Sequence, residues 1–455
     1  MASKRDLVEA HGFNRKRLVS AFVSGAPQGR DVESVSRSRP VVAGLAVAGL
    51  LLGGSAIAGV LTSPLQDGWQ DAHVVIGKQS AARYVTDKGT LYPVLNATSA
   101  RLMIPSQAGF PVIVVDDAQI AASTRGAARG ILGAPDDLPA PARLLQAGWV
   151  ACLDGTRIVT TVAERKVPNQ GTRPPGMLVS TEAGTWLLVG GYRFPVPPVM
   201  VTPLRRELGM DRTAVTPVPG RWLDLLAPGQ TLGVSVPRKG QPLPTTMTLG
   251  GKVQRVGQVV SVRDQGVTTY SLVVEDGTVT LTAFAANVYQ AQEPELGQAV
   301  VVTASDLATV PPSPSSASYY PAEWPSAVPV SADGVPCAVL ETTRQERAAD
   351  TRFVVVPSDS AFASRPTAVT VDPGRGALVR VSSTGATGGP VYLVDQSGQK
   401  FAITDPSPET LARLGYAKVT IPAVPGPWIL LFPSGPALST EAALGSPTEP
   451  QPAAP

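Results

Sequence analysis

Residues 41–61, "VVAGLAVAGLLLGGSAIAGVL", carry no charge, no amide side chain and no aromatic ring. At about 1.5 Å of rise per residue this run reaches roughly 30 Å, the thickness of a bilayer's hydrocarbon core. A helix in a soluble core keeps a polar face for water, and this run has none. A cleaved leader is the stronger competitor, because "SAIAG" offers the small residues Ala56 and Ala58 in leader-peptidase spacing. A leader, however, places a short basic region before about 7 to 15 apolar residues, whereas 40 residues precede this full-length run. The run therefore reads as an uncleaved anchor.

Flanking charge orients that anchor. The arm 1–40 holds Lys4, Arg5, Arg15, Lys16, Arg17, Arg30, Arg37 and Arg39 against Asp6, Glu9, Asp31 and Glu33, and the far flank opens with Asp67 and Asp71. The positive-inside rule puts the N-terminus in the cytoplasm and everything after Leu61 outside: a single-pass protein of the cell membrane. The chain is +3 and the arm is 8 − 4 = +4, so the exported part is about −1, which excludes a broad basic field for nucleic acid. Val8, Phe13, Leu18, Val19 and Phe22, interleaved with Arg15, Lys16 and Arg17, describe an amphipathic basic helix suited to anionic lipid or a cytoplasmic partner. In the anchor, Gly49 and Gly53 are four apart, a spacing that lets a second helix approach.

Both cysteines, Cys152 and Cys337, fall on the exported side. In an oxidising compartment a pair with no spare is most simply one disulfide; two buried thiols are the alternative. A bridge closing some 185 residues would restrict the unfolded chain by about 5 kcal/mol in the loop-entropy model.

With 44 Gly and 45 Pro, the chain after the anchor is loop-rich. Short β-branched runs between turn residues, such as "GFPVIVVDD" and "GQVVSVRDQGVTTYSLVVEDGTVTLTAF", read as strands and hairpins. Helical patterns are few: the arm, "PARLLQAGW", "VTPLRRELG" and "SPETLARLG". The fold class expected is mixed α/β with strand dominating, in small units.

Self-similarity sharpens this expectation. At a constant offset of 206, Leu208, Gly209, Pro219, Gly220, Trp222 and Gly229 match Leu414, Gly415, Pro425, Gly426, Trp428 and Gly435. A hairpin-like stretch precedes each copy, "TWLLVGGYRFPVP" and "VYLVDQSGQKFAIT", and the same pattern recurs in "RYVTDKGTLYPVLN" and "YSLVVEDGTVTLTAF". Four related modules are expected within 62–440, near 78–105, 180–232, 267–295 and 388–438. Modules this small bury too little surface to stand alone. The proline-rich segment 310–329 reads as an extended connection that rests on something through Tyr319, Tyr320 and Trp324, and 441–455 as a disordered tail.

Catalytic motifs are scarce. The two histidines are His11 in the arm and His73 twelve residues past the anchor, which argues against Ser-His-Asp, Cys-His and His-metal chemistry outside. "LGGKVQ" (249–254) lacks the first glycine and the hydroxyl of a phosphate loop, and "DPGRGALV" near Asp372 reads as a turn. The acidic pairs Asp116–Asp117, Asp136–Asp137 and Glu275–Asp276 read as surface, and "NAT" at Asn96 matches a glycosylation sequon. No catalytic, cofactor-binding or metal residue is expected.

The arm "SKRDLVEAHGFNRKRLVSAFVSGAP" before a single span, followed by "GTLYPVLNATSARL", resembles the EccB family, the single-pass membrane component of type VII (ESX) secretion systems. The resemblance covers nearly the whole chain. It implies a cytoplasmic arm, one span, and an extracytoplasmic domain of four modules around a central β-rich core with pseudo-two-fold symmetry. It also implies a disulfide, which falls on Cys152 and Cys337. Implied partners are the motor ATPase EccC, EccD, EccE, the mycosin protease and a second EccB ectodomain. The family is often labelled an ATPase, yet no phosphate loop or acidic metal site here would carry ATP hydrolysis. The expected role is a structural membrane component of the secretion complex, with an extracytoplasmic ATPase or a cell-wall-binding repeat protein as alternatives.

Overall fold

The computed structural model describes residues 10–12, 14–15, 68–165, 167, 174–244, 247, 249, 251–253, 255–314, 319–342, 349–363, 367–382 and 388–447. The chain divides into two compact units, Met1–Ser63 and Pro64–Pro455. In the first, the described residues are helical and exposed, His11 and Arg15 among them. Lys16, Arg17, Gly49, Gly53 and the run 41–61 lie outside the described residues. Among those described, no helix is long and apolar enough to cross a membrane.

The second unit opens with strands β1 (Val74–Gly77), β2 (Arg83–Asp87) and β3 (Thr90–Pro93), helix α1 (Ala97–Met103), strand β4 (Val112–Val115) and helix α2 (Asp117–Ala122). β1, β2 and β3 form an antiparallel meander, β4 returns parallel to β1, and residues 125–129 bridge in parallel to β3. Lys88 (φ 48°) and Gly89 (φ 76°) make the two-residue turn between β2 and β3, which needs two positive φ values.

Next come β5 (Trp149–Asp154) and β6 (Arg157–Val162). A second meander follows: β7 (Pro175–Thr181), β8 (Gly184–Val189), β9 (Tyr192–Val196), α3 (Val201–Glu207), β10 (Thr216–Pro217), α4 (Gly220–Leu223) and β11 (Ala227–Pro228). The third is β12 (Val259–Asp264), β13 (Val267–Val274), β14 (Gly277–Leu281), α5 (Ala283–Gln292), β15 (Val300–Val301) and α6 (Ala304–Ala308). After β16 (Val330–Ser331), β17 (Val335–Thr342), β18 (Ala349–Val356) and β19 (Val369–Val371), the fourth is β20 (Ala377–Ser382), β21 (Val391–Val394), β22 (Lys400–Ile403), α7 (Pro408–Arg413), β23 (Ala423–Pro425) and α8 (Gly426–Ile429).

One connectivity thus occurs four times. Three antiparallel strands lead to a helix, a fourth strand lies parallel to the first, a second helix follows, and a closing segment runs parallel to the third strand. The hairpins quoted from the sequence are the second and third strands in each case. Each sheet begins one strand earlier than the sequence boundaries at 78, 180, 267 and 388, with a first strand whose outer partner is a parallel strand that arrives only after a helix.

The fifth sheet, ordered β18-β17-β5-β6-β19, is assembled from two distant pieces of chain. Alternation along β5 sends Trp149, Ala151 and Leu153 to one core, shared with the second and fourth modules, and Val150 and Cys152 to another. Cys152 and Cys337 are directly opposed on β5 and β17 and form a disulfide with Cα atoms 4.0 Å apart.

The two segments related by 206 residues fold alike. Gly209 (φ 67°) and Gly415 (φ 91°) end α3 and α7. The following N–H groups bond back to Arg205 (2.7 Å) and Leu411 (2.6 Å), the Schellman pattern that only a left-handed residue permits. Trp222 and Trp428 are both 0 % exposed at the base of the central sheet. Trp222 Nε1 donates to the Ala151 carbonyl and Trp428 Nε1 to Thr351 Oγ1, each at 2.8 Å. A side chain at Gly229 or Gly435 would collide with the ring of Phe194 or Phe401.

Two expectations are corrected and one helix is added. The tail begins later than 441: Ser439 caps a helix α9 (Thr440–Leu444) that packs on α1, and Ala443 is buried in the core with Leu102 and Leu438, while 448–455 lie outside the described residues. "PARLLQAGW" makes a single 3-10 turn, Pro141–Arg143, because Leu144 already bridges to Gly376 and the chain enters β5 at Trp149. α5 escaped the sequence reading, since six of its ten residues are buried and no polar stripe marks it.

Reducing the disulfide, or replacing both cysteines by alanine, is expected to lower unfolding stability by about 2–5 kcal/mol, read as a lower denaturant midpoint. Gly435→Ala is expected to cost about 1–3 kcal/mol through overpacking, and Phe401→Leu in the same chain to recover part of that loss in a double-mutant cycle.

Candidate functional site

Modules this small are held by the surfaces where they meet. The first and fourth share one core, in which Leu102, Ile131 and Ala134 join Phe401, Leu414, Tyr416 and Leu438. The second and third share another, in which Leu187, Phe194 and Leu204 join Leu272, Phe284 and Tyr289. The second and fourth then pack on the central sheet.

Each junction has a polar clamp at the end of a helix. Arg413 Nη1 donates to the Leu102 carbonyl at 2.7 Å, in the last turn of α1. Asn287 Nδ2 donates to the Glu207 carbonyl at 2.7 Å, at the end of α3. Helix termini leave such carbonyls without internal partners, so the neighbouring module completes them. The first junction adds a carboxylate: Glu409 accepts from the Ser106 hydroxyl and from the Ser106 N–H (3.0 Å), and pairs with Arg413 Nε at 2.9 Å. The Ser106 hydroxyl, its N–H and the Arg413 guanidinium together hold Glu409 down to about 2 from its ordinary value of 4.5.

The string "LYPVLNATSARL" now has a local cause. Asn96 is 5 % exposed and caps α1, accepting from the Ser99 N–H (2.9 Å) and hydroxyl (2.7 Å) and donating to the Ile131 carbonyl (2.7 Å). Its amide is engaged inside the fold, so the sequon is a helix cap rather than a glycan acceptor.

The other motifs are structural in the same way. Asp117 accepts from the Ser80 N–H at 2.8 Å, Asp136 pairs with Arg83 at 2.6 Å, and Glu275 pairs with Arg238. Asp372 accepts from the Glu164 N–H at 3.0 Å within a turn closed by the Arg375 N–H. Lys252 donates backbone N–H to Leu249 in the turn read from "LGGKVQ". His73 lies 2.7 Å from the Asp71 carbonyl. Trp324 of the proline-rich connection is 5 % exposed, meeting Phe284 edge-on at 5.4 Å and stacking with Tyr320 at 5.7 Å.

A cleft of about 490 Å³ lies beside Arg238, Gln241, Pro242, Leu243, Pro244, Val256 and Glu275. Its guanidinium is already neutralised by Glu275, so the described lining offers no net positive charge to a triphosphate. Among the described residues no group of three or more His, Cys, Asp or Glu side chains could hold a metal ion. The sequence-derived set is therefore scattered: Cys152 and Cys337 meet in the central sheet, Arg15 lies on the arm, and Lys16, Arg17, Gly49 and Gly53 fall outside the described residues. Sequence reading missed the clamp residues Ser106, Asn287, Glu409 and Arg413, whose partners lie 80 to 311 positions away.

Residues 1–448 match the family described as "Type VII secretion system ESX-1, transport TM domain B". The "ESX-2 secretion system ATPase EccB2" of Mycobacterium tuberculosis (strain H37Rv) is 31% identical over 415 residues, covering 82% of this chain and 81% of that protein. The "ESX-3 secretion system ATPase EccB3" of the same strain is 29% identical over 437 residues, covering 82% and 76%. Among solved structures, a chain of an EccB3 dimer from the ESX-3 core complex is similar with a TM-score of 0.63 at 22% identity, covering 82% of this chain and 100% of that one. A chain of an intact ESX-5 inner membrane complex gives 0.61 at 23% identity, covering 100% and 98%. At these identities the structures speak for the fold.

Replacing Glu409 by glutamine isolates the acid clamp. Because the folded carboxyl titrates near 2 and the unfolded one near 4.5, its stabilisation is fully present above about pH 4.5 and is lost as pH falls toward 2. The melting temperature of the native chain minus that of Glu409→Gln is therefore expected to be positive and flat above pH 5 and to shrink steadily below pH 4.5.

Proposed function

Because the chain belongs to the EccB family of type VII (ESX) secretion systems, we propose that it works as a structural membrane component of an ESX inner-membrane complex. Its arm and the run 41–61 anchor it, and its outer unit serves as a framework that dimerises. The anchor is single-pass with a cytoplasmic N-terminus, as the charge asymmetry across 41–61 suggests. Arg15, Lys16 and Arg17 contact lipid headgroups or a cytoplasmic partner, and Gly49 and Gly53 contact a neighbouring helix. The motor ATPase EccC, EccD, EccE and the mycosin protease are the partners of this reading.

The observation that carries it is the mechanical character of the outer unit. Four sheets of one connectivity are joined in pairs by buried cores and closed by a disulfide across 185 residues. We read them as four repeats related two and two, the first with the third and the second with the fourth, around a pseudo-two-fold axis through the central sheet. The relatives' names include the word ATPase. Against hydrolysis here stand the neutralised cleft and the structural engagement of each acidic pair, so ATP is not a ligand of this reading.

The test is isolation of the tagged full chain from its own membranes. Detergent extraction is expected to release it in a large complex that contains the motor ATPase by mass spectrometry, and the chain purified away from that complex to turn over ATP no faster than a no-protein control. Recovery of the chain from the soluble fraction without detergent sinks the anchor. ATP turnover that rises with protein and survives gel filtration sinks the non-catalytic reading.

A further inference from the structure

The fourth strands of the four modules differ in what meets their outer edges. β10 contains Pro217, and β16 fills the rest of that side of β7. β23 ends on Pro425 and lies against β18 of the central sheet. β15 is two residues long, and Lys252 Nζ donates to its Val301 carbonyl at 3.3 Å. Proline, brevity, a lysine and a covering strand are the devices that keep a sheet edge from recruiting another chain.

β4 has none of these. Its four residues, Val112, Ile113, Val114 and Val115, are all β-branched and uncharged, it ends its sheet, and Val112 is 46% exposed. The Val74 N–H bonds to the Pro111 carbonyl and the Lys78 N–H to the Val115 carbonyl, each at 2.8 Å. Odd-numbered residues of this stretch therefore aim their backbone at β1, and Val112 and Val114 aim theirs outward.

We propose that β4 is a strand-addition edge and that its occupant is β4 of a second copy of this chain, antiparallel about a two-fold axis at Ile113. The proposal rests on the dimeric reading above and names the surface that serves it. This register pairs Val112 with Val114 of the second copy and Val114 with its Val112, so all four outward groups on each strand are used. Continued by two residues, it sets Phe110 opposite Asp116 of the second copy on the same face. Arg101 lies over the Phe110 ring with its guanidinium 4.5 Å from the centroid, and Asp116 is exposed. Each end of the paired strands then brings a carboxylate to a guanidinium, whereas a parallel arrangement would set like ends together. Four hydrogen bonds alone hold a weak pair, and confinement of both copies in one membrane complex supplies the effective concentration.

The native cysteines are bonded to each other, so Ile113→Cys in the full chain introduces one free thiol. At the axis it faces its own copy in a non-hydrogen-bonded pair, the kind of position in which directly opposed residues approach most closely. Mild oxidation of membranes is expected to give a reducible band at twice the chain mass, with about tenfold less when Val114→Pro is added, since that proline removes only an outward donor. Val199→Cys, placed on a residue 85% exposed elsewhere, is expected to cross-link no better than background, and the melting temperature of the Val114→Pro chain to match its parent. Equal cross-linking at positions 113 and 199, insensitivity to Val114→Pro, or an adduct with a different protein overturns the proposal. If light scattering of the purified full chain finds a dimer that position 113 does not cross-link, this edge is wrong and the dimeric reading stands. If it finds only a monomer, both fall.

Discussion

Cys152 and Cys337 stand directly across from one another on neighbouring strands, and the rest of the second unit depends on that registration. β5 and β6 are made before the second module and β17, β18 and β19 after the third, so the central sheet closes only when two distant stretches of chain find the same register. A slip by one residue would exchange the two faces of the sheet, sending Trp149 and Ala151 away from the core they share with Trp222 and Trp428. The covalent bond forbids that slip. It also removes much of the conformational freedom of the 185-residue loop that holds the second and third modules, an entropic cost a sheet of ordinary strand pairs would otherwise meet alone.

The two tryptophans show how that sheet becomes a joint. Each arrives on a one-turn helix that begins at a proline, Pro219 or Pro425, and each uses its indole N–H on a different strand of the central sheet, β5 for Trp222 and β18 for Trp428. A fully buried indole N–H without a partner would forfeit about 1–3 kcal/mol of what its ring contributes in packing. Satisfying both on one sheet, at its central strand and at its edge strand, fixes where the second and fourth modules sit. Trp149, edge-on to Trp428 at 6.4 Å and to Phe432 at 5.2 Å, fills the space between them.

Much of this was legible in the amino-acid string wherever the cause is local. Lys88-Gly89 needs two positive φ values and so announces its hairpin, and Gly209 and Gly415 announce two helix ends. The 206-residue offset exposes the equivalence of Trp222 and Trp428. What was not legible is non-local. β1 gains its identity from a parallel partner that arrives after a helix, α5 is buried on nearly every side and so lacks amphipathic contrast, and Asn96 matches a sequon until Ser99 and Ile131 are placed beside it as the partners of a helix cap. The junction residues follow the same rule: Glu409 and Ser106 are 303 positions apart, and nothing in either neighbourhood marks the other.

The inner and outer modules solve one problem in two ways. Every module sheet has two apolar faces, one against its paired module and one remaining. The second and fourth bury the remaining face on the central sheet through Met177, Val179, Val379 and Val394. The third covers it with its own chain, folding Leu243, Met247, Leu249 and Val253 over Val260 and Val273. The first has only Ile120 of α2 and the partly buried Trp69, Tyr84 and Ile113. It therefore combines the lightest cover with a strand edge less protected than the fourth strands of the other three modules. A sheet kept in that condition is costly for an isolated protein and reasonable for one whose neighbour is always present, which is the circumstance of a component held in a membrane assembly.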